Sequence, residues 1–219
     1  MNTNTNMTRT EFLEALASGR KDFHGLVLPP GTDLSRTDLS GLILGKAVLR
    51  GVHFRGAKLE GVNLTEADCE GANFMGADLS HALCHSTGFH RANFYLARLF
   101  RTNFTAAYLC SADMPDVYAV RAHLEGARLV GAKLAFADFT HANFERALLT
   151  GANFAVAILS RANFERADCR GASFRRAQME GVMTDRTKLR GADMRGASLS
   201  EDLLALAVAS GARTGALAL

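Results

Sequence analysis

The 219-residue chain has no tryptophan, three prolines and four cysteines, and its 25 Lys and Arg against 22 Asp and Glu leave a formal net charge of only +3. Each scarcity excludes something. So balanced a charge is neither that of a polyanion nor that of a strong polycation, which act through the field of their whole surface. Four cysteines in a chain this long do not make a disulfide framework. No run of about 18 apolar residues occurs, so no membrane-spanning helix is expected. The polar opening MNTNTNMTRT lacks the apolar stretch of a secretory signal, and a cytosolic protein with reduced thiols is expected. No glycine loop opens a helix, so no phosphate cradle is indicated.

What the chain does have is a period of five. Stepping by five from Leu34 to Leu199 crosses 34 pentapeptides without insertion, and their central residues are 16 Leu, ten Phe, three Cys, three Met, Ala119 and Thr184. Two places before each centre stands a small residue, Ala in 24 of the 34 units. Asn or Asp often stands between the two, as at Asp68, Asn73, Asp78, Asn93 and Asn103, and Gly often stands two after the centre. A helix repeats near 3.6 and a strand at 2, so neither explains the beat. One small and one large inward residue in every five imply a narrow, filled interior. Recurrent Gly, Asn and Asp imply a turn in every unit. The chain therefore winds into stacked coils that touch only their neighbours.

The pattern A-(D/N)-(L/F)-x-x resembles the pentapeptide repeat family over residues 32–200. That resemblance implies an all-β fold, a right-handed quadrilateral parallel β-helix with four pentapeptides to a coil. Short helices are expected at both ends. The chain then divides into an N-terminal tail and capping helix (1–31), the β-helix (32–200) and a C-terminal helix and tail (201–219). Residues 20 apart stack, so Phe54, Phe74 and Phe94 fall in one inner column.

In this register Cys69, Cys84 and Cys169 point inward as small hydrophobes, and Cys110 points outward. His81, His85 and His90 point out from different walls and do not converge as metal ligands must. No catalytic, metal or cofactor site is read, and the protein is expected not to be an enzyme. At the N-terminus, Thr8 and Glu11 form a capping box for a helix that Gly19 ends, with Phe12, Leu13 and Leu16 against the first coil. At the C-terminus Ser200 caps EDLLALAVASG, and Leu203, Leu204, Leu206 and Val208 are more apolar than a lone surface helix needs. They are read as a lid on the last coil and, by resemblance to family members that pair through this helix, as a homodimer contact.

Function on such a rod is written on its outward residues. One wall is apolar at its centre: Met75, Tyr95, Leu96, Pro115, Phe136 and Val156, joined around the corner by Phe100, Tyr118, Val120 and Ile158. Arg36, Arg55, Arg175 and Arg176 stand at its ends. Contiguous exposed apolar surface marks a partner site. A non-enzymatic scaffold with a protein partner is therefore expected. The family resemblance adds DNA gyrase or topoisomerase IV as a partner, with protection from quinolone-type inhibitors by mimicry of a DNA duplex. Such a mimic is acidic, whereas here Arg166, Arg170, Arg175, Arg176, Arg186, Arg190 and Arg195 crowd the last coils. Direct nucleic-acid binding by those arginines is diluted by Glu165, Asp168, Glu180 and Asp185. Pro115 and Ala119 weaken the pattern locally, where a kinked coil is expected.

Overall fold

The computed structural model describes residues 5–215; the ends of the expected terminal segments, residues 1–4 and 216–219, lie outside the described residues. Parallel bridges run from Asp22 to Arg213, and from Asp33 onward each rung pairs residues 20 apart: Asp33 with His53, Asn73 with Asn93, Asp193 with Arg213. Four pentapeptides close one coil, and the molecule is a right-handed quadrilateral β-helix, as the family resemblance implies.

The backbone explains the five-residue unit. Around Leu99, Arg98 donates to the Ala77 carbonyl at 2.9 Å, Leu99 to that of Tyr118 at 2.7 Å and Arg101 to that of Val120 at 3.1 Å. Thr102 donates back across the turn to the Leu99 carbonyl at 3.1 Å. Four of five N–H groups are thus used by the backbone, and the one left over belongs to the residue after the centre. The Asn or Asp before the centre takes it. Asn73, Asn93, Asn103, Asn143 and Asn163 accept through Oδ1 from the N–H of Met75, Tyr95, Thr105, Glu145 and Glu165 at 2.8–3.0 Å. That pairing satisfies the last donor of the unit.

Two after the centre, every residue from Arg36 to Gly196 has a left-handed backbone, with φ from 54° to 72°. This is position i+2 of a type II turn. Glycine fills 13 of these places and other residues fill 20, so the turn accepts a side chain at the steric cost of a left-handed backbone, about 1–2 kcal/mol.

The expected kink at Pro115 and Ala119 is absent: Asp113 still bridges Lys133 and Tyr118 still bridges Asp138. Pro115 stands at position i+1, whose N–H the ladder does not use and whose φ suits proline. Ala119 is fully buried like the larger centres.

Inside, Phe54, Phe74 and Phe94 stack with ring centroids 4.9 and 5.0 Å apart and planes within 10°. Phe154 and Phe174 repeat the arrangement at 5.2 Å. Such offset contacts add to the burial of the rings. Cys69, Cys84 and Cys169 are buried and free, and burial pushes their thiols up, away from the reactive thiolate. Cys110, expected outside, is half-buried, because its Sγ folds back to within 3.6 Å of the Arg128 carbonyl oxygen. Thr87, Thr102 and Thr187 sit at small inward positions, and each hydroxyl donates to a backbone carbonyl at 2.7–2.8 Å.

The ends depart from strict register. Asp22 pairs with Ile43 and Val27 with Val48, 21 apart, because the stretch containing Pro29 and Pro30 carries one extra residue. A strand that the sequence does not announce, β1 (Thr5–Asn6), pairs in parallel with β2 (Leu26–Val27). Helix α1 (Arg9–Ala17) has the expected capping box: the Thr8 N–H meets Glu11 Oε2 at 2.7 Å, and the Glu11 N–H meets Thr8 Oγ1 at 3.3 Å. Phe12 is buried with its ring 4.7 Å from that of Phe23. Helix α2 (Glu201–Ala209) starts at Ser200, whose Oγ accepts from the Leu203 N–H at 3.3 Å. Leu203 and Ala207 are buried against the last coil. The chain then returns, and Arg213 pairs over Asp193.

Candidate interaction surface

The turn geometry carries the expected apolar wall onto one corner and the flat face beside it. Leu96, Asp116, Phe136 and Val156 occupy the left-handed position of four successive coils, each donating its N–H to the coil above. Tyr95 and Pro115 precede two of them on the same corner. The adjoining face carries Tyr118, Asp138 and Ile158 in one column, and the next corner carries Phe100 and Val120. Phe136 is 60% exposed, Leu96 51% and Val156 40%. Tyr95 and Tyr118 are exposed as well, while Met75, Phe100, Pro115, Val120 and Ile158 are half-buried between neighbouring coils. The residues are brought together, with Asp116 and Asp138 as polar interruptions.

Two costs coincide at this corner. Leu96, Phe136 and Val156 present apolar side chains to water, and they do so at φ values of 58°, 61° and 61°. For a bulky or β-branched residue such a backbone is unusual. Glycine relieves both costs at many equivalent turns of this same chain.

The aromatic part of the face is held in place by its neighbours. The Phe100 ring stacks on that of Tyr118 with centroids 6.3 Å apart and meets His81 edge-on at 5.5 Å. The Arg101 guanidinium lies 5.2 Å from the Phe100 centroid, and that of Arg98 lies 6.0 Å from Tyr118. These contacts are of cation–π type.

The column that supplies Arg101 escaped the sequence reading. Counting by 20 from His81 gives Arg101, Arg121, His141 and Arg161, all exposed and all left-handed. The signal was present in the register, but along the chain His81 groups with His85 and His90 and not with the residues 20 apart above it. With His123 and Asn143, four residues of this corner and its edge, Arg101, Arg121, Ala122 and His141, line a shallow depression.

Elsewhere some of the outer charges neutralise one another, while among the described residues Arg166, Arg175, Arg176 and Arg190 have no carboxylate within 4.0 Å. Arg146 and Arg186 lie 3.5 Å from Glu145 and Asp185, and Arg170 and Arg195 reach Asp168 and Asp193 at 2.6 Å. Arg170 and Arg195 each grip their carboxylate through two nitrogens, which holds Asp168 and Asp193 below the usual carboxylate range. Exposed pairs of this kind add little to stability. Among the described residues no three His, Cys, Asp or Glu side chains converge as a metal site, and no helix is long and apolar enough to cross a membrane.

On α2, Leu203 is taken up by the column, Leu204 and Leu206 are half-buried and Val208 is 60% exposed. The apolar surface that this helix offers outward is thus centred on Val208.

Comparison with known proteins agrees with the geometry. The family model described as pentapeptide repeats matches in eight copies, over residues 32–68, 53–83, 120–155 and 157–200. Among solved structures the chain is similar to HetL, a pentapeptide repeat protein involved in heterocyst differentiation regulation from the cyanobacterium Nostoc sp. strain PCC 7120. That match has 24% identity and a TM-score of 0.58, and covers 89% of this chain and 98% of that one. It is also similar to a trypsin-treated variant of QnrB1, a plasmid-mediated fluoroquinolone resistance protein, with 18% identity and a TM-score of 0.56 over 76% of this chain and 86% of that one. At these identities the likeness is one of fold. No curated protein sequence matches the chain.

Proposed function

The chain belongs to the pentapeptide repeat family, and from that premise we propose that it is a non-enzymatic scaffold or regulator that captures a protein partner on its apolar corner and face. The observation that carries this reading is the coincidence at Leu96, Phe136 and Val156 of water exposure and a left-handed backbone. Neither helps the fold, and backbone strain persists where function requires it. The protein works in the cytosol in this reading, and two copies pair through α2 with Val208 at the contact.

A topoisomerase is the partner that the family resemblance adds. In its favour is one acidic column, Glu125, Glu145, Glu165 and Asp185. Against it, Arg146 and Arg186 lie beside Glu145 and Asp185 and blunt that column. A gyrase supercoiling assay with a quinolone-type poison tests it: restored supercoiling supports this partner, and no effect at saturating protein excludes it.

The interface itself is tested by the variant Leu96→Glu with Phe136→Glu. Both side chains are exposed, so folding is spared. A protein retained by the native chain and lost by the variant, compared side by side by mass spectrometry, is the expected result. Equal retention on both overturns the reading.

A further inference from the structure

The corner next to the apolar face carries arginine or histidine on five successive coils: His81, Arg101, Arg121, His141 and Arg161. The flanking columns hold no carboxylate along this stretch. On one side stand Ser80, Phe100, Val120, Thr140 and Ser160, and on the other Leu83, Asn103, His123, Asn143 and Asn163. Of the acids bordering the column, two are engaged by neutral or histidine side chains: Glu125 by Thr105, His123 and Asn143, and Glu180, above Ser160 at the upper end, by the Ser160 hydroxyl at 3.0 Å. Among the described residues none of Arg101, Arg121 and Arg161 has a carboxylate within 4.0 Å, a state they share with Arg166, Arg175, Arg176 and Arg190; what sets them apart is that they stand with His81 and His141 in one unbroken column. Five like-charged or chargeable side chains in line, without counter-charges, call for an anionic partner.

The spacing selects which. Stacked rings in the interior place successive coils 4.8–5.2 Å apart. One turn of an α-helix rises about 5.4 Å, so acidic residues one turn apart drift from the ladder by only about 2 Å over its four intervals. Same-side residues of a β-strand are about 6.7 Å apart and drift by about 7 Å. The phosphates of a DNA strand advance about 3.4 Å each along the duplex, so neither single nor alternate phosphates keep the beat. Long arginine side chains absorb the small mismatch and not the large ones. Phe100 and Val120 directly precede Arg101 and Arg121, so whatever lies on the ladder also meets an apolar edge.

We propose that the partner presents an acidic amphipathic α-helix that lies along the column axis, with its carboxylates on Arg101, Arg121, His141 and Arg161 and its apolar edge on Phe100, Val120 and Tyr118. This rests on the reading of the adjoining face as a protein interface and names the chemistry of what docks there.

The test uses a labelled Ala-rich helical peptide with Glu at i, i+4, i+7, i+11 and i+14 and Leu along one flank, read by fluorescence anisotropy against the full chain. The controls are the same composition scrambled and a single-stranded oligodeoxynucleotide of equal charge. The helical peptide binds more tightly than either control. Reversal of Arg101, Arg121 and Arg161 to Glu weakens it about tenfold, while the same reversal of Arg166, Arg176 and Arg190 does not. Circular dichroism checks folding, and Gln variants replace any that fail it. Tighter binding of the oligonucleotide, or an unchanged affinity in the ladder variant, overturns the inference. If the ladder variant binds unchanged while Leu96→Glu with Phe136→Glu still abolishes partner capture, the helix is wrong and the interface stands. If capture survives that double variant while the peptide still needs the ladder, the interface reading fails.

Discussion

Two corners of the column build the same turn with different residues. At one, Gly51, Gly71, Gly131, Gly151, Gly171 and Gly191 fill six left-handed positions, with φ from 62° to 71°. At the other, Leu96, Phe136 and Val156 hold φ at 58° to 61° in the central coils. The fold asks the same of both. The glycine corner shows what the turn prefers when nothing else is at stake, because glycine has no Cβ to clash in that region. The apolar corner accepts the clash and exposes hydrocarbon as well. The difference separates residues chosen for the column from residues chosen for what meets it.

The comparison is broken most severely from inside. Phe74 supports both corners through the stack that it shares with Phe54 and Phe94. Phe74→Ala is expected to cost about 3–5 kcal/mol in guanidinium unfolding, the cost of emptying a packed core position. Next comes the glycine corner. Nothing lies within 4 Å of a Cβ built on Gly151, so Gly151→Val tests the backbone alone, and a loss of about 1–2 kcal/mol is expected. A neutral result would mean that the left-handed turn costs a β-branched residue nothing and that Val156 carries no strain.

The smallest effect lies at the polar end of the apolar corner. The two bonds from Arg195, at 2.6 and 2.8 Å, hold the Asp193 carboxyl down to about 2. A depressed carboxylate stabilises the fold at higher pH, and that contribution fades as pH falls from about 4 to 2. Arg195→Gln should flatten this part of the stability profile and leave the rest unchanged. An identical acid limb in both proteins would show that the pair contributes nothing.

Much of the column was legible because its interior is periodic. Each pentapeptide repeats the same inward pair, so the register followed from counting, and the coil size and the ring stack followed from the family resemblance that the register reveals. The terminal caps followed from local chemistry at Thr8, Glu11 and Ser200. What was not legible depends on atoms 20 residues away or on backbone angles. The harmlessness of Pro115 rests on the one N–H that the ladder ignores, which no residue type reveals. The half-burial of Met75, Val120 and Ile158 comes from the coils above and below. Left-handedness is visible in a sequence where glycine marks it and hidden at Leu96, Phe136 and Val156, where only the register reveals it. The extra residue at Pro29 and Pro30 and the strand Thr5–Asn6 lie where the five-beat has not begun.

The most direct test converts one corner into the other. In Leu96→Gly with Phe136→Gly and Val156→Gly, relief of the strained turns offsets the flexibility that glycine adds to the unfolded chain. The unfolding midpoint and partner capture are measured on the same preparation. A midpoint at or above the native value together with lost capture is predicted. Capture at the native level on a corner stripped of Leu96, Phe136 and Val156 would contradict the account.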